Sequence, residues 1–350
     1  MAEIDALFRE MTSKGGSDLH LEQGHKARIR LNGDLEELSS SPVMTEDHLR
    51  RMLGEIAGRD MWERFEGGGD LDFAYALGDE ARFRANYLKQ FTGYGAVFRV
   101  IPSKILSLEQ LGAPEVFKSF IEYGSGLVLV TGPTGSGKST TLAGIIDHIN
   151  TSYCKKIITI EEPVEFVHQS RQSIIIHREV GPDTDSFMAG LKGALKSDVN
   201  IVLVGELRDK ETMEQALTAA EMGILVFGTL HTNSAAKTID RVIDAFPARQ
   251  KNQIRSLLAN SLKGVVSQQL VKSADGKRRW AAHEILLHCS SLAGIIRSGE
   301  TIKLNSVMQT NRQAGMQTMD DCLMDMVKTG KVSMDAAFLK ALDKSRFRPA

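Results

Sequence analysis

Eight consecutive residues, Gly132-Pro133-Thr134-Gly135-Ser136-Gly137-Lys138-Ser139, combine side chains and spacing suited to holding a chain of phosphates. They fit the pattern G-x-x-x-x-G-K-[ST], whose glycines let the backbone fold its N–H groups around phosphate oxygens. The pattern carries meaning only between a strand and a helix. Both flanks are present: the apolar run Leu127-Val128-Leu129-Val130-Thr131 enters the loop, and a helix expected from Thr140 to about Ile149 leaves it. That helix presents the positive end of its dipole to the same anion. Lys138 would reach the β and γ phosphates, and the Ser139 hydroxyl would ligate Mg²⁺. A nucleoside triphosphate with Mg²⁺ is the expected ligand.

Hydrolysis needs more than binding. It needs an aligned water, a group to polarise it and positive charge on the departing phosphate. Two acidic clusters follow apolar runs and could supply carboxylates. One is Glu161-Glu162-Pro163-Val164-Glu165-Phe166 after Ile157–Ile160, and the other is Gly205-Glu206-Leu207-Arg208-Asp209 after Ile201–Val204. The second has the form of a Walker B strand, and strand C-termini are where open α/β sheets bind ligands, so Glu206 is expected to handle Mg²⁺ or water. A third run, Leu225–Leu230, ends in His231-Thr232-Asn233. His231 is either a structural hydrogen-bonder or a sensor of the γ-phosphate.

The elements that must position these groups fall into two kinds. Before residue 102 the apolar spacing gives a helix over 2–12, ended by Gly15-Gly16, and a second over Glu46 to Phe65. Short alternating runs read as strands at 18–21, 27–31, 71–75, 82–87 and 95–100, with a hairpin turn at Asn32-Gly33. This is an α+β domain with an antiparallel sheet, spanning 1–101. Pro102 opens a polar linker over 102–114. In 115–289 the apolar runs alternate with helical segments, the signature of a parallel sheet. Residues 290–350 read as a helical C-terminal subdomain, with amphipathic segments at 291–297, 318–329 and 333–342.

Composition narrows the setting. A chain of 350 residues suits two or three domains, and a formal net charge of −1 gives no general attraction to nucleic acid or anionic membrane. The cluster Lys277-Arg278-Arg279 reads as a solvated hairpin turn. Cys154, Cys289 and Cys322 form no CxxC pair, which points to a reducing, cytosolic setting. No apolar run approaches the roughly 20 residues needed to cross a bilayer, and the N-terminus carries no signal-peptide pattern.

Taken together and in order, these strings resemble the secretion ATPase superfamily, and within it the type IV pilus retraction ATPases of the PilT type. The resemblance begins at Gly16-Ser17-Asp18-Leu19-His20-Leu21 and runs through Arg82-Phe83-Arg84, Val97–Pro102 and the P-loop. It continues through the acidic Ile160–Phe166 box, Arg178-Glu179-Val180-Gly181, Val204–Asp209, Thr229–Thr232 with Asp240-Arg241, and Gly315–Asp320. It implies a PAS-like α+β domain, a RecA-like P-loop ATPase domain and the helical end, assembled as a homohexameric ring. The implied activity is ATP hydrolysis that drives pilin disassembly in twitching motility, by a cytoplasmic motor at the inner-membrane base of the pilus machine. Its partners would be a platform protein and a paralogous retraction ATPase, with no nucleic acid.

By position, the resemblance makes Glu165 the glutamate that activates water and Glu206 the Walker B glutamate. Arg84 and Arg99 match arginines that reach the ATP phosphates when two domains close. Arg82, Arg208 and Arg241 are expected to form salt bridges within the ring. Three departures stand out: Glu162 replaces the usual Asp, Gly223-Ile224 replaces Gly-His, and Ser291–Ser298 keeps only part of the motif A-I-R-N-L-I-R-E. They leave open a second reading, an accessory or weakly hydrolysing paralogue of the PilU type. A nucleic-acid translocase is a third. The missing CxxC pair and long N-terminal extension argue against the pilus assembly and type II secretion enzymes that share the core.

Overall fold

The computed structural model describes residues 2–31, 33–78, 80–101 and 104–347, so Asn32, Pro102 and Ser103 of the expected turn and linker lie outside the described residues. Packing divides the chain into two units. One is Met1–Lys104 with Glu162–Val167, and the other is Ile105–Glu161 with His168–Ala350.

In the first unit, six strands form one sheet: β1 (Asp18–Glu22), β2 (Arg28–Leu31), β3 (Asp34–Glu37), β4 (Leu71–Leu77), β5 (Ala81–Gln90) and β6 (Gly93–Ile101). Their order is β3-β2-β1-β6-β5-β4, and every pairing is antiparallel. Strict alternation explains why one face is a core. Along β5, Phe83, Ala85 and Tyr87 are buried, while Arg82, Arg84 and Asn86 occupy the other face. Three helices cover the apolar face; Phe8 of helix Asp5–Ser13 stacks on Phe83 at 4.0 Å and meets Phe98 edge-on at 5.0 Å.

The single helix expected over Glu46 to Phe65 is two helices, Glu46–Ala57 and Arg59–Glu66. They meet at Gly58, whose φ of 73° with ψ of 166° no helix can contain and only glycine adopts without strain. Apolar spacing runs on through the break, to Phe65, so the pattern gave no sign of it.

The second unit is built on seven strands: β7 (Gly126–Thr131), β8 (Lys156–Glu161), β9 (Ile174–Glu179), β10 (Ile201–Val204), β11 (Leu225–Leu230), β12 (Leu262–Lys272) and β13 (Arg279–Leu287). The order is β13-β12-β7-β11-β10-β8-β9, parallel throughout except for the β12–β13 hairpin. Every residue of β7, β10 and β11 is buried, which requires cover on both faces of the sheet. From Ile105 the chain belongs to this unit, and Leu108 is already in its core.

The helical end from Ser290 is present, and it divides between two apolar clusters. Helices Ser290–Ser298 and Leu304–Thr310 bury Leu292, Ile296, Leu304, Val307 and Met308 in the main core. Helices Met319–Lys328 and Met334–Lys340 instead pack with Val271 of β12, Ala282 of β13 and Phe347 in a cluster of their own.

Candidate functional site

The P-loop connects β7 to a helix that spans Lys138–Ser152, two residues earlier than the sequence suggested. Lys138 is thus its first helical residue. Its Nζ donates to the carbonyl oxygens of Gly132 at 2.8 Å and Pro133 at 3.2 Å, folding the lysine back across the loop. Pro133, Thr134 and Gly135 are exposed, Ser139 and Thr140 are half-buried, and Ser136 is buried with an Oγ that meets no hydrogen-bonding partner. A Cβ on Gly132 would lie 2.3 Å from the carbonyl oxygen of Gln268, and one on Gly137 would lie 2.9 Å from the Gln268 carboxamide nitrogen. Glycine at both positions is therefore forced by the wall behind the loop as well as by positive φ.

Such a loop fits a nucleotide. The orphaned Ser136 hydroxyl is a buried polar group of the kind a ligand satisfies, and Lys138 exchanges carbonyl oxygens for phosphate oxygens without changing the character of its partners. Mg²⁺ asks little more of the protein. It retains waters, takes most of its other ligands from phosphate, and needs one or two side-chain oxygens such as that of Ser139.

Glu206 follows β10 directly, where a strand C-terminus delivers it to the sheet edge. One carboxylate oxygen lies 3.2 Å from His231 Nε2 and the other accepts from Arg208 Nε at 2.7 Å. The structure thus joins two acidic-cluster and strand-end residues that the sequence could place only separately. The turn carrying Glu206 is fixed by the neighbouring strand: the Leu207 N–H donates to Thr229 O at 3.0 Å, and the Thr229 hydroxyl donates to the Gly205 carbonyl. Arg208 pairs with Glu206, two residues before it. Arg241 is exposed on helix Ala235–Asp244.

Sequence reasoning missed a polar cluster beneath the loop. Gln268 of β12 donates through Nε2 to Ser136 O at 2.7 Å, while its Oε1 accepts from the Thr141 hydroxyl at 2.7 Å and lies 3.1 Å from His283 Nε2. Beside it, Thr131 and Ser267 hydroxyls pair at 2.9 Å across β7 and β12. The signal available was Ser267-Gln268-Gln269, a polar interruption inside an otherwise apolar strand.

Burial holds the His283 imidazole down to about 4 from its ordinary 6.5, with the ring edge-on to Phe117 at 5.2 Å. The folded state therefore refuses a proton that the unfolded chain accepts below about pH 6.5, so this group's stability contribution is complete above that pH and is lost toward pH 4. The loss is on the order of 3 kcal/mol at the acid end. Melting temperature of the nucleotide-free protein is expected to fall across that window, and His283→Phe to flatten part of the fall.

The remaining expected site residues belong to the first unit. Arg84 and Arg99 are direct cross-strand partners on β5 and β6, on the polar face of the sheet. Two guanidinium groups set side by side repel. Asp18 lies 2.8 Å from Arg99 and Asp72 lies 3.8 Å from Arg84, yet Arg99 remains 68% exposed. Arg82, two residues before Arg84, has a buried Nη1 without a partner. Glu165 lies half-buried between buried Val164 and Phe166, in the segment that groups with this unit, and Glu162 is exposed there. Glu161 closes β8 in the second unit.

The model of the family described as "Type II/IV secretion system protein" matches residues 1–293. The chain belongs to this family. Among members of this secretion family, the type IV pilus retraction ATPase PilT of Pseudomonas aeruginosa is 46% identical over 339 residues, covering 97% of this chain and 98% of that protein. The type IV pilus ATPase PilU of the same organism is 37% identical over 342 residues, covering 97% of this chain and 88% of its own length. A crystal structure of the pilus retraction motor PilT with bound ADP matches with a TM-score of 0.91 at 37% identity, covering 99% of both chains. The secretion-ATPase fold is therefore that of this chain. Among the described residues no helix is long and apolar enough to cross a membrane.

The departures from the retraction motifs have structural places. Ile224 is buried in the main core at the entry to β11, where its side chain packs. In helix Ser290–Ser298 the buried positions Leu292 and Ile296 remain apolar, and the changed positions Ala293 and Ser298 are half-buried and exposed. Arg297 bonds Asn260 at 2.7 Å. Lys277 and Arg278 form the exposed β12–β13 turn, with Arg278 stacked 4.0 Å from the Trp280 ring centre.

Proposed function

We propose that this protein is a cytoplasmic ATPase motor that powers type IV pilus retraction from a hexameric ring at the inner-membrane base of the machine. The observation that carries this reading is likeness to PilT across 97% of this chain and 98% of that protein, with the P-loop complete. In this reading ATP lies in Gly132–Thr140, with Lys138 on its β and γ phosphates. Ser139, and Glu206 through water, would hold Mg²⁺, which when bound would supply charge neutralisation of the phosphates. Glu165 takes the proton of the attacking water, His231 reports the γ-phosphate to Glu206, and Arg84 with Arg99 brings positive charge from the other unit.

Charge supports the last assignment. An exposed, self-repelling arginine pair with only partial carboxylate compensation is a surface that gains from an anion. Bringing it to the triphosphate from a separately packed unit would couple nucleotide state to unit movement. The platform protein and a paralogous ATPase are the proposed partners.

An accessory, weakly hydrolysing role of the PilU type is favoured by one observation, the loss of motif side chains at Ala293 and Ser298. The test is complementation of a retraction-deficient bacterium, scored beside ATP turnover of the same purified protein. Retraction with turnover is the expected result. Retraction without turnover would move the protein to the accessory role, and turnover without retraction would leave an ATPase of another secretion machine.

A further inference from the structure

A P-loop binds phosphate only if its peptide N–H groups face the ligand, and something must hold them there when none is bound. In a trans peptide the C=O and the following N–H point in opposite directions. The Ser136–Gly137 bond is not among the cis peptides of the described residues. Its carbonyl accepts from Gln268 Nε2 at 2.7 Å, so in a trans peptide the Gly137 N–H points away from Gln268.

The orientation of the Gln268 carboxamide is itself determined. Ser136 O can only accept, so the group facing it must be the NH₂. The carboxamide oxygen must then accept from both Thr141 Oγ1 at 2.7 Å and His283 Nε2 at 3.1 Å, which makes His283 the Nε2–H tautomer. Gln268 is 2% exposed and His283 3%, so bulk solvent does not compete for either group. The backbone carbonyl of Gln268 also abuts Gly132, and its side chain abuts Gly137.

We infer that Gln268 is a positioning residue for the phosphate cradle, fixing the Ser136–Gly137 peptide with its N–H outward, and that His283 acts through Gln268 by fixing the carboxamide. The inference rests on the nucleotide reading of the loop and deepens it: β12, which contributes no residue to the P-loop motif, sets the geometry in which the loop meets phosphate.

The experiment is a titration of the purified full chain with fluorescent mant-ADP, well below the melting temperature, with KM and kcat for MgATP measured on the same samples. Gln268→Leu removes the donor and is expected to raise the mant-ADP Kd and the KM about tenfold, the scale of one neutral hydrogen bond. His283→Phe preserves the contact with Phe117 and is expected to raise both about threefold, since the carboxamide can then turn. The double variant is expected to match Gln268→Leu alone, because His283 acts only through Gln268. A residue that merely stabilised the fold would lower the melting temperature and leave Kd of the folded protein unchanged.

Unchanged Kd in Gln268→Leu overturns the inference, and additive effects in the double variant overturn the role of His283. Should Gln268→Leu fail to fold, His283→Phe decides alone: an unchanged Kd there overturns the arrangement. Failure of the unmodified chain to bind mant-ADP is a distinct outcome that overturns the nucleotide reading beneath it.

Discussion

Lys138→Ala is expected to reduce ATP turnover by at least about a hundredfold, the scale of losing one preorganised charge at a developing phosphate charge. The lysine ammonium lies over the loop with Nζ 2.8 Å from Gly132 O and 3.2 Å from Pro133 O, so it is already at the mouth of the cradle. Moving from neutral carbonyls to charged phosphates strengthens its bonds as charge grows on the leaving group, which is the condition for a rate effect beyond binding. Stability should change little. Lys138 is half-buried at the first turn of its helix, and alanine is a good helix former. Turnover measured beside the melting temperature checks both statements. Turnover within a few-fold of the unmodified protein would remove Lys138 from the chemistry and, with it, the reading of the loop as a catalytic site.

The loop, its strand and its helix were legible because each has a local signature: fixed glycine spacing, a continuous apolar run and a dipole-terminated helix start. Four of the parallel strands could be read for the same reason, since a strand buried on both faces is apolar at nearly every central position. β9 escaped because it is an edge strand whose residues are half-exposed or exposed. β12 escaped because Ser267, Gln268 and Gln269 break its apolar run, and two of them, Ser267 and Gln268, belong to the polar cluster behind the P-loop. In both cases the local pattern failed where tertiary context, an edge or a buried hydrogen-bond network, set the residue type.

Pairings were the least legible part of the site. Glu206 and His231 stand 25 positions apart in the chain, at the ends of β10 and β11, and only the parallel register of those strands brings them to 3.2 Å. Arg84 and Arg99 are likewise ordinary members of alternating strands until the β5–β6 register sets them opposite each other. Gly58 shows the limit in the other direction: helical periodicity survives a backbone break that keeps the buried face in phase.

The second large effect concerns the proposed base. Glu165→Gln is expected to lower turnover by about a hundredfold to ten-thousandfold, the range associated with general base catalysis, while leaving nucleotide affinity within about twofold. The two changes separate because Gln preserves shape and hydrogen-bonding reach but cannot accept a proton from water at neutral pH. Glu165 sits half-buried in Glu162–Val167, anchored by buried Val164 and Phe166, so the substitution has a defined backbone to act from and little core to disturb. Its segment groups with the arginine-bearing unit, while Glu206 stays with the P-loop unit. Parallel measurement of mant-ADP affinity and steady-state turnover decides it. Robust turnover by Glu165→Gln would transfer the base assignment to Glu206, which follows β10 of the parallel sheet, or Glu161, which closes β8.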